Sequence, residues 1–215
     1  MDNFIGPITL HAWLTMAVFF GVLLLCVKPL GIYIANVMQG KLGFAARIEN
    51  AIYRICGVRA SEEMHWSRYA MSLMVFSLFG TLAVYALQRL QISLPLNPQQ
   101  MANVTPDSSF NTAASFASNT NWQGYGGETT MSYLTQMLGL TVQNFVSAAT
   151  GMAVLVALIR GFTRRQTNAI GNFWFDLVRS TVYILLPLSL VLAVALVSQG
   201  VVQTFQSYQS VALVQ

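Results

Sequence analysis

Between Asp2 and Lys28 the chain carries no charged side chain, and comparable charge-free runs recur between Arg68 and Arg89, between Glu128 and Arg160, and beyond Arg179. A helix rises about 1.5 Å per residue, so roughly 20 apolar residues cross the ~30 Å hydrocarbon layer of a bilayer. Each run is long enough, which places spans at about 8–27, 66–88, 131–159 and 174–201. The fold class this predicts is an all-α integral membrane protein. Composition agrees: 55% of the residues are hydrophobic and 8% charged, against roughly 25% charged in soluble domains. So few charges cannot clothe a water-facing globule, which excludes a cytosolic enzyme, a disordered chain and a nucleic-acid binder. The net charge of +4 is therefore read by where its Lys and Arg sit relative to the membrane.

Their distribution alternates. Lys28, Lys41, Arg47, Arg54, Arg59 and Arg68 lie at or between spans one and two, and only Arg89 ends span two on the other side. Arg160, Arg164, Arg165 and Arg179 lie between spans three and four, and none follows. The positive-inside rule then puts the N-terminus and the loop from about Gln91 to Thr130 outside. The first span does not read as a cleavable signal, because Lys28-Pro29 stands where small residues should be. Pro187 within span four is tolerable, since membrane helices accept proline. Trp13, Trp66, Tyr69, Tyr85, Tyr133 and Trp174 fall near span ends, as interfacial aromatics do. In the first inside loop, Phe44, Ile48, Ala51, Ile52 and Ile55 are spaced for a short helix, lying on the inner surface or packing as part of the loop. Cys26 and Cys56 form no C-x-x-C pair, and His11 and His65 have no partner at i+3 or i+4 to make a metal face.

The outside loop runs to about forty residues, far more than a connector needs. After Leu94-Pro95-Leu96-Asn97-Pro98 it reaches Asp107-Ser108, a good N-cap, and then Phe110, Ala113, Ala114 and Ala117 on one face of a short helix at about 108–117. A polar, glycine-rich, uncharged run follows: Ser118-Asn119-Thr120-Asn121-Trp122-Gln123-Gly124. A short helix leading into an oxygen-rich strand between two spans describes a re-entrant pore loop. A cation that leaves water needs oxygens to replace its hydration shell. Uncharged oxygens suit a monovalent ion, and the helix C-terminus adds a partial negative charge. The other reading of the same residues is a solvated outer loop, within which Asn103-Val104-Thr105 matches a glycosylation acceptor. In span three, Gln136, Gln143, Ser147 and Thr150 lie near one face, and Ser147 with Gly151 forms a small-xxx-small pair. The chain has neither the G-x-x-x-x-G-K-[ST] phosphate loop nor Asp-Lys-Thr-Gly, and thus no evident ATP site or catalytic group.

Several of these pieces resemble the potassium-binding A subunit of the bacterial Kdp potassium-transporting ATPase. They are Lys28-Pro29-Leu30-Gly31, Leu94 to Gln100, Asn119-Thr120-Asn121-Trp122-Gln123, and the run from Gly127-Glu128-Thr129-Thr130 through Gln143-Asn144-Phe145 to Arg160. The resemblance implies a potassium-channel-like architecture of four helix–pore-loop–helix repeats after an extra N-terminal helix. Residues 1–65 would be that helix with a basic cytoplasmic segment, 66–160 the first repeat, and 161–215 a cytoplasmic loop with the first helix of the second. It further implies a K+ filter at Asn119, Thr120 and Asn121, with Ser118 and Gln123 beside it, K+ as the transported ion and a site only partly formed by this chain. The implied partners are a P-type ATPase subunit that hydrolyses ATP, small single-span accessory subunits and the lipid of a bacterial inner membrane. Family members carry four pore loops, so this chain is expected to be an N-terminal portion. Two alternatives stand beside this reading: a non-catalytic scaffold that only anchors a partner, and a haem-bearing anchor, which would need paired intramembrane histidines.

Overall fold

The structure is a computed structural model that describes residues 9–164, 167–201 and 203–208. Asp2, Ile8 and Arg165, used above to bound a span and to count charge, lie outside the described residues. The chain divides into two compact units, Met1–Phe44 and Ala45–Gln215.

The first unit is built on α1, Leu10–Met38. Thr9 caps it, its hydroxyl accepting the Ala12 N–H at 3.3 Å. The apolar run was expected to end near Val27, but the helix continues through Lys28 and Pro29 for a further three turns. The last charge-free residue marks where lipid contact should end, whereas a helix ends only where its hydrogen bonds do. Val18, Leu24, Leu25 and Val27 are all more than half exposed. A helical stretch that is apolar and exposed all round has lipid as its natural solvent.

The second unit contains α2 (Ala46–Cys56), α3 (Trp66–Arg89), α4 (Pro106–Ala117), a single turn α5 (Gly127–Thr130), α6 (Thr135–Thr163) and α7 (Phe173–Ser198). With α1, helices α3, α6 and α7 are the four elements long and apolar enough to cross a membrane. Two of them open on, or contain, wide π-helical turns, at Thr135–Thr141 in α6 and Ser180–Leu185 in α7. In α6 the Thr141 hydroxyl donates to the carbonyl five residues back, Gln136 O, at 2.9 Å. Pro187 follows the π segment of α7, where the ladder is already interrupted.

One apolar cluster joins α3, α6 and α7: Met64, Tyr69, Ala149, Ala153, Ala157, Phe173 and Leu177. Its close approach rests on Ala149 and Ala153, both fully buried, and Ala157 one turn further on. The expected Ser147–Gly151 pair does not form the packing stripe. Ser147 is buried, but Gly151 is exposed and a Cβ there would touch nothing. The stripe that packs runs two residues out of phase with the one the spacing picked out.

Ion pairs fasten the same end of this unit. Arg160 of α6 grips Asp176 of α7 with two bonds, Nη1–Oδ2 at 2.5 Å and Nη2–Oδ1 at 2.8 Å. The Tyr69 hydroxyl of α3 donates to Asp176 Oδ2 at 3.0 Å. Glu49 of α2 accepts from Arg179 at 3.0 Å, Tyr53 at 3.0 Å and Tyr183 at 2.6 Å. Arg179 and Tyr183, four residues apart on one face of α7, reach the same carboxylate. Such charges are tolerable within a long apolar helix only because each is paired. Beyond the spans, Arg164 holds the Glu63 carboxyl below the usual carboxylate range through a hydrogen bond.

Candidate functional site

The long loop between α3 and α6 is stitched to α3 before α4 begins. Gln91, fully buried, donates to Ala102 O at 2.5 Å and Thr130 O at 2.8 Å, and its Oε1 accepts Ser132 N at 3.1 Å and the Thr135 hydroxyl at 3.1 Å. One side chain thus joins the start of the loop, its middle and its return into α6. Gln88 donates to Ser109 O at 3.2 Å, and Arg89 donates to Val104 O, which fixes the entry of α4 against α3. Asn97 closes the turn between Leu96 and Gln100, both at positive φ, by bonding the Met101 backbone on both sides. Asn103, in the possible glycosylation triplet, uses its Oδ1 to accept the Ile92 N–H at 3.0 Å.

Helix α4 starts two residues earlier than its sequence indicated. Thr105 is the N-cap and Pro106 opens the first turn, with Asp107 inside it rather than capping. Proline at the first helical position loses a bond that would be unmade in any case. Val84, Val104, Ala113, Phe116, Met131 and Leu140 form the apolar cluster that seats this helix between α3 and α6.

At its C-terminus the chain turns sharply. Asn119 (φ 55°) and Asn121 (φ 54°) are left-handed, whereas Thr120 between them is not. The backbone hand therefore alternates, and the residues do not form a pleated strand. Hydrogen bonds set the direction of each peptide. The N–H groups of Asn119, Thr120 and Asn121 donate back to the helix end, to Phe116 O at 3.3 Å and to Ser115 O at 3.0 and 3.4 Å. The described peptides are trans, and in a planar trans peptide the carbonyl points opposite to the N–H. The carbonyls of Ser118, Asn119 and Thr120 are therefore directed together, away from the helix end. A regular strand would have sent successive carbonyls to opposite sides. The arrangement stops at Trp122, whose carbonyl turns back to accept the Ser115 hydroxyl at 3.0 Å. Gln123 lies just past that reversal and is exposed.

Side chains close the remaining edges. Thr120 Oγ1 donates to Ser115 O at 3.2 Å and meets Ser118 Oγ at 3.0 Å. Asn121 Nδ2 donates to Asn144 Oδ1 on α6 at 3.0 Å. The segment 108–127 has no charged residue, and among the described residues no three His, Cys, Asp or Glu side chains gather as a metal site. What this geometry offers is a row of neutral carbonyl oxygens, exposed on the open side from 118 to 121. That is chemistry for a partly dehydrated monovalent cation and not for acid–base work. Ser118, Asn119, Thr120 and Asn121 come together here. Gln91, Asn97, Ser115 and Asn144 also build the site, although nothing local in the sequence singles them out. The one available signal was that Gln91 and Asn144 are amides at or within the ends of apolar spans.

Comparison with known proteins gives a consistent picture. The sequence model of the family described as "Potassium-transporting ATPase A subunit" matches residues 17–215. The chain is 60% identical over 201 residues to a potassium-transporting ATPase potassium-binding subunit of Dechloromonas aromatica, covering 94% of this chain and 34% of that one. It is 64% identical over 203 residues to the same-named subunit of Herpetosiphon aurantiacus, covering 93% and 35%. For that of Sorangium cellulosum the identity is 63% over 203 residues, covering 93% and 35%. The chain thus spans about a third of the length of the curated relatives it matches.

Proposed function

The chain belongs to the potassium-transporting ATPase A subunit family, and from that premise we propose that it supplies one wall of a K+-selective filter in an ATP-driven uptake pump. In this reading α3, α4 and α6 form a helix–pore-loop–helix repeat, and α7 opens the next. K+ arriving from outside exchanges part of its water for the carbonyls of Ser118, Asn119 and Thr120, with Asn121 completing the bend and Gln123 near the mouth. The chain hydrolyses nothing itself. A P-type ATPase subunit performs the hydrolysis and receives the ion, and small single-span subunits and lipid complete the assembly in a bacterial inner membrane. The N-terminus faces outward, in keeping with the placement of Lys and Arg.

One observation carries the proposal: three successive backbone N–H groups are spent on the end of α4, which frees three carbonyls on the opposite side. This wall is one part of a cage. Because a desolvated cation needs oxygens all round it, binding is a property of the complete transporter.

The test is Gln123→Arg in the complete transporter. A guanidinium about 4 Å from the ion opposes it by about 4 kcal/mol at an effective dielectric of 20. That corresponds to roughly a thousandfold loss of apparent K+ affinity, read as the KM for K+-stimulated ATP hydrolysis. An unchanged KM would overturn the placement of the filter.

A further inference from the structure

We propose that Asn144, a residue of the membrane-spanning helix α6, is a positioning residue for the filter, holding the left-handed backbone of Asn119 and Asn121 through a relay of side-chain amides. The inference rests on the filter reading above and adds to it the device that keeps the strand in shape.

Two left-handed residues separated by one that is not form a conformation that L residues adopt only when their surroundings impose it. Asparagine tolerates it best among side chains with a Cβ, but tolerance does not hold a segment in place. The inner edge of the strand is held by Ser115, whose carbonyl takes the N–H groups of Thr120 and Asn121. Among the described residues, the outer edge has no backbone partner of this kind. What stands there is a chain of amides: Asn121 Nδ2 donates to Asn144 Oδ1 at 3.0 Å and to Asn119 Oδ1 at 3.4 Å. A primary amide nitrogen carries two protons, so Asn121 serves both acceptors at once.

The relay connects both left-handed residues to a helix 23 positions further along the chain. Helix α6 is a firm anchor, because Ala149, Ala153 and Ala157 lock its next turns against α3 and α7. A selective cage needs its oxygens held to within about 0.5 Å, by groups whose own positions are fixed. Asn144 meets that requirement without touching the ion, and its loss should loosen the cage without dismantling it.

The experiment compares variants in the complete transporter, reading KM for K+, competition by Rb+ and kcat at saturating K+. Asn144→Leu keeps the branched shape at Cγ but removes the acceptor. It should raise KM about threefold to tenfold, the worth of one net hydrogen bond, and narrow the preference for K+ over Rb+ while leaving kcat unchanged. Asn144→Asp keeps the acceptor and should restore KM. Asn121→Ala should raise KM, and adding Asn144→Leu to it should raise KM no further, because both variants break the same relay. If Asn144→Leu fails to assemble, Asn144→Ser, whose hydroxyl is too short to reach Asn121, takes its place in every arm. The inference is overturned if Asn121→Ala raises KM while the Asn144 variant leaves it unchanged, if the two effects multiply, or if kcat falls with no rescue by Asn144→Asp. Should Gln123→Arg and Asn121→Ala also leave KM untouched, the filter reading fails and this inference fails with it.

Discussion

Gly171 sits at φ 106°, a conformation that residues with a Cβ rarely adopt, and a Cβ there would run into the Arg160 guanidinium. That guanidinium grips Asp176, whose side chain is fully buried. Gly171→Ala therefore has two costs. Backbone strain contributes about 1–3 kcal/mol. Displacing Arg160 leaves a buried carboxylate unpaired, worth roughly another 3–5 kcal/mol. Gly57 is the natural control: it is also left-handed, at φ 65°, but a Cβ there meets nothing. Gly57→Ala should therefore lose only about 1 kcal/mol. Denaturant unfolding in detergent, followed by helical signal, should show Gly171→Ala as the markedly less stable variant, and equal losses would contradict the pairing described. Sequence alone could not separate these glycines. Each stands in a loop, and only the fold shows that one of them faces an ion pair formed by residues before and after it.

For the elements, the existence of the four spans, α2 and α4 was legible, their limits were not, and the single turn α5 had no signal in the sequence. Uncharged length located α1, α3, α6 and α7, because the cost of burying charge in hydrocarbon is written directly in the sequence. The end of α1 was missed because Pro29 and Lys28 break an apolar run without breaking a helix. The packing stripe of α6 was misplaced because two small-residue stripes lie on it, and the neighbours choose between them. That choice makes a prediction. Ala153 is fully buried, and its carbonyl accepts the Tyr69 hydroxyl at 2.8 Å. Ala153→Leu forces α6 away from α3 and should cost about 1–3 kcal/mol. Gly151→Ala, into open space, should be neutral or stabilising. Thermal unfolding of the two variants side by side reads the difference, and a harmless Ala153→Leu would show that the α3–α6–α7 cluster is not close-packed.

Taken as a whole, the chain reads from its sequence as a membrane protein with a long uncharged, glycine-rich loop between two spans, since charge-free spans and such a run are local features. What holds the loop in place is non-local and was not legible. Gln91 joins four points between Ala102 and Thr135, and Asn144 reaches back 23 residues to Asn121. Nor could composition say which oxygens are free, because that depends on where three backbone N–H groups are spent. The proposed cage for a dehydrated K+ includes the carbonyls of Ser118, Asn119 and Thr120 among its oxygens. Its most direct measurement is a cryo-electron microscopy map of the complete transporter in Rb+, compared with one in a large organic cation. Rb+-dependent density is expected in direct coordination with those three oxygens, inside the membrane. A map in which Rb+ density lies elsewhere, with the segment 118–121 bathed in bulk solvent, would contradict it.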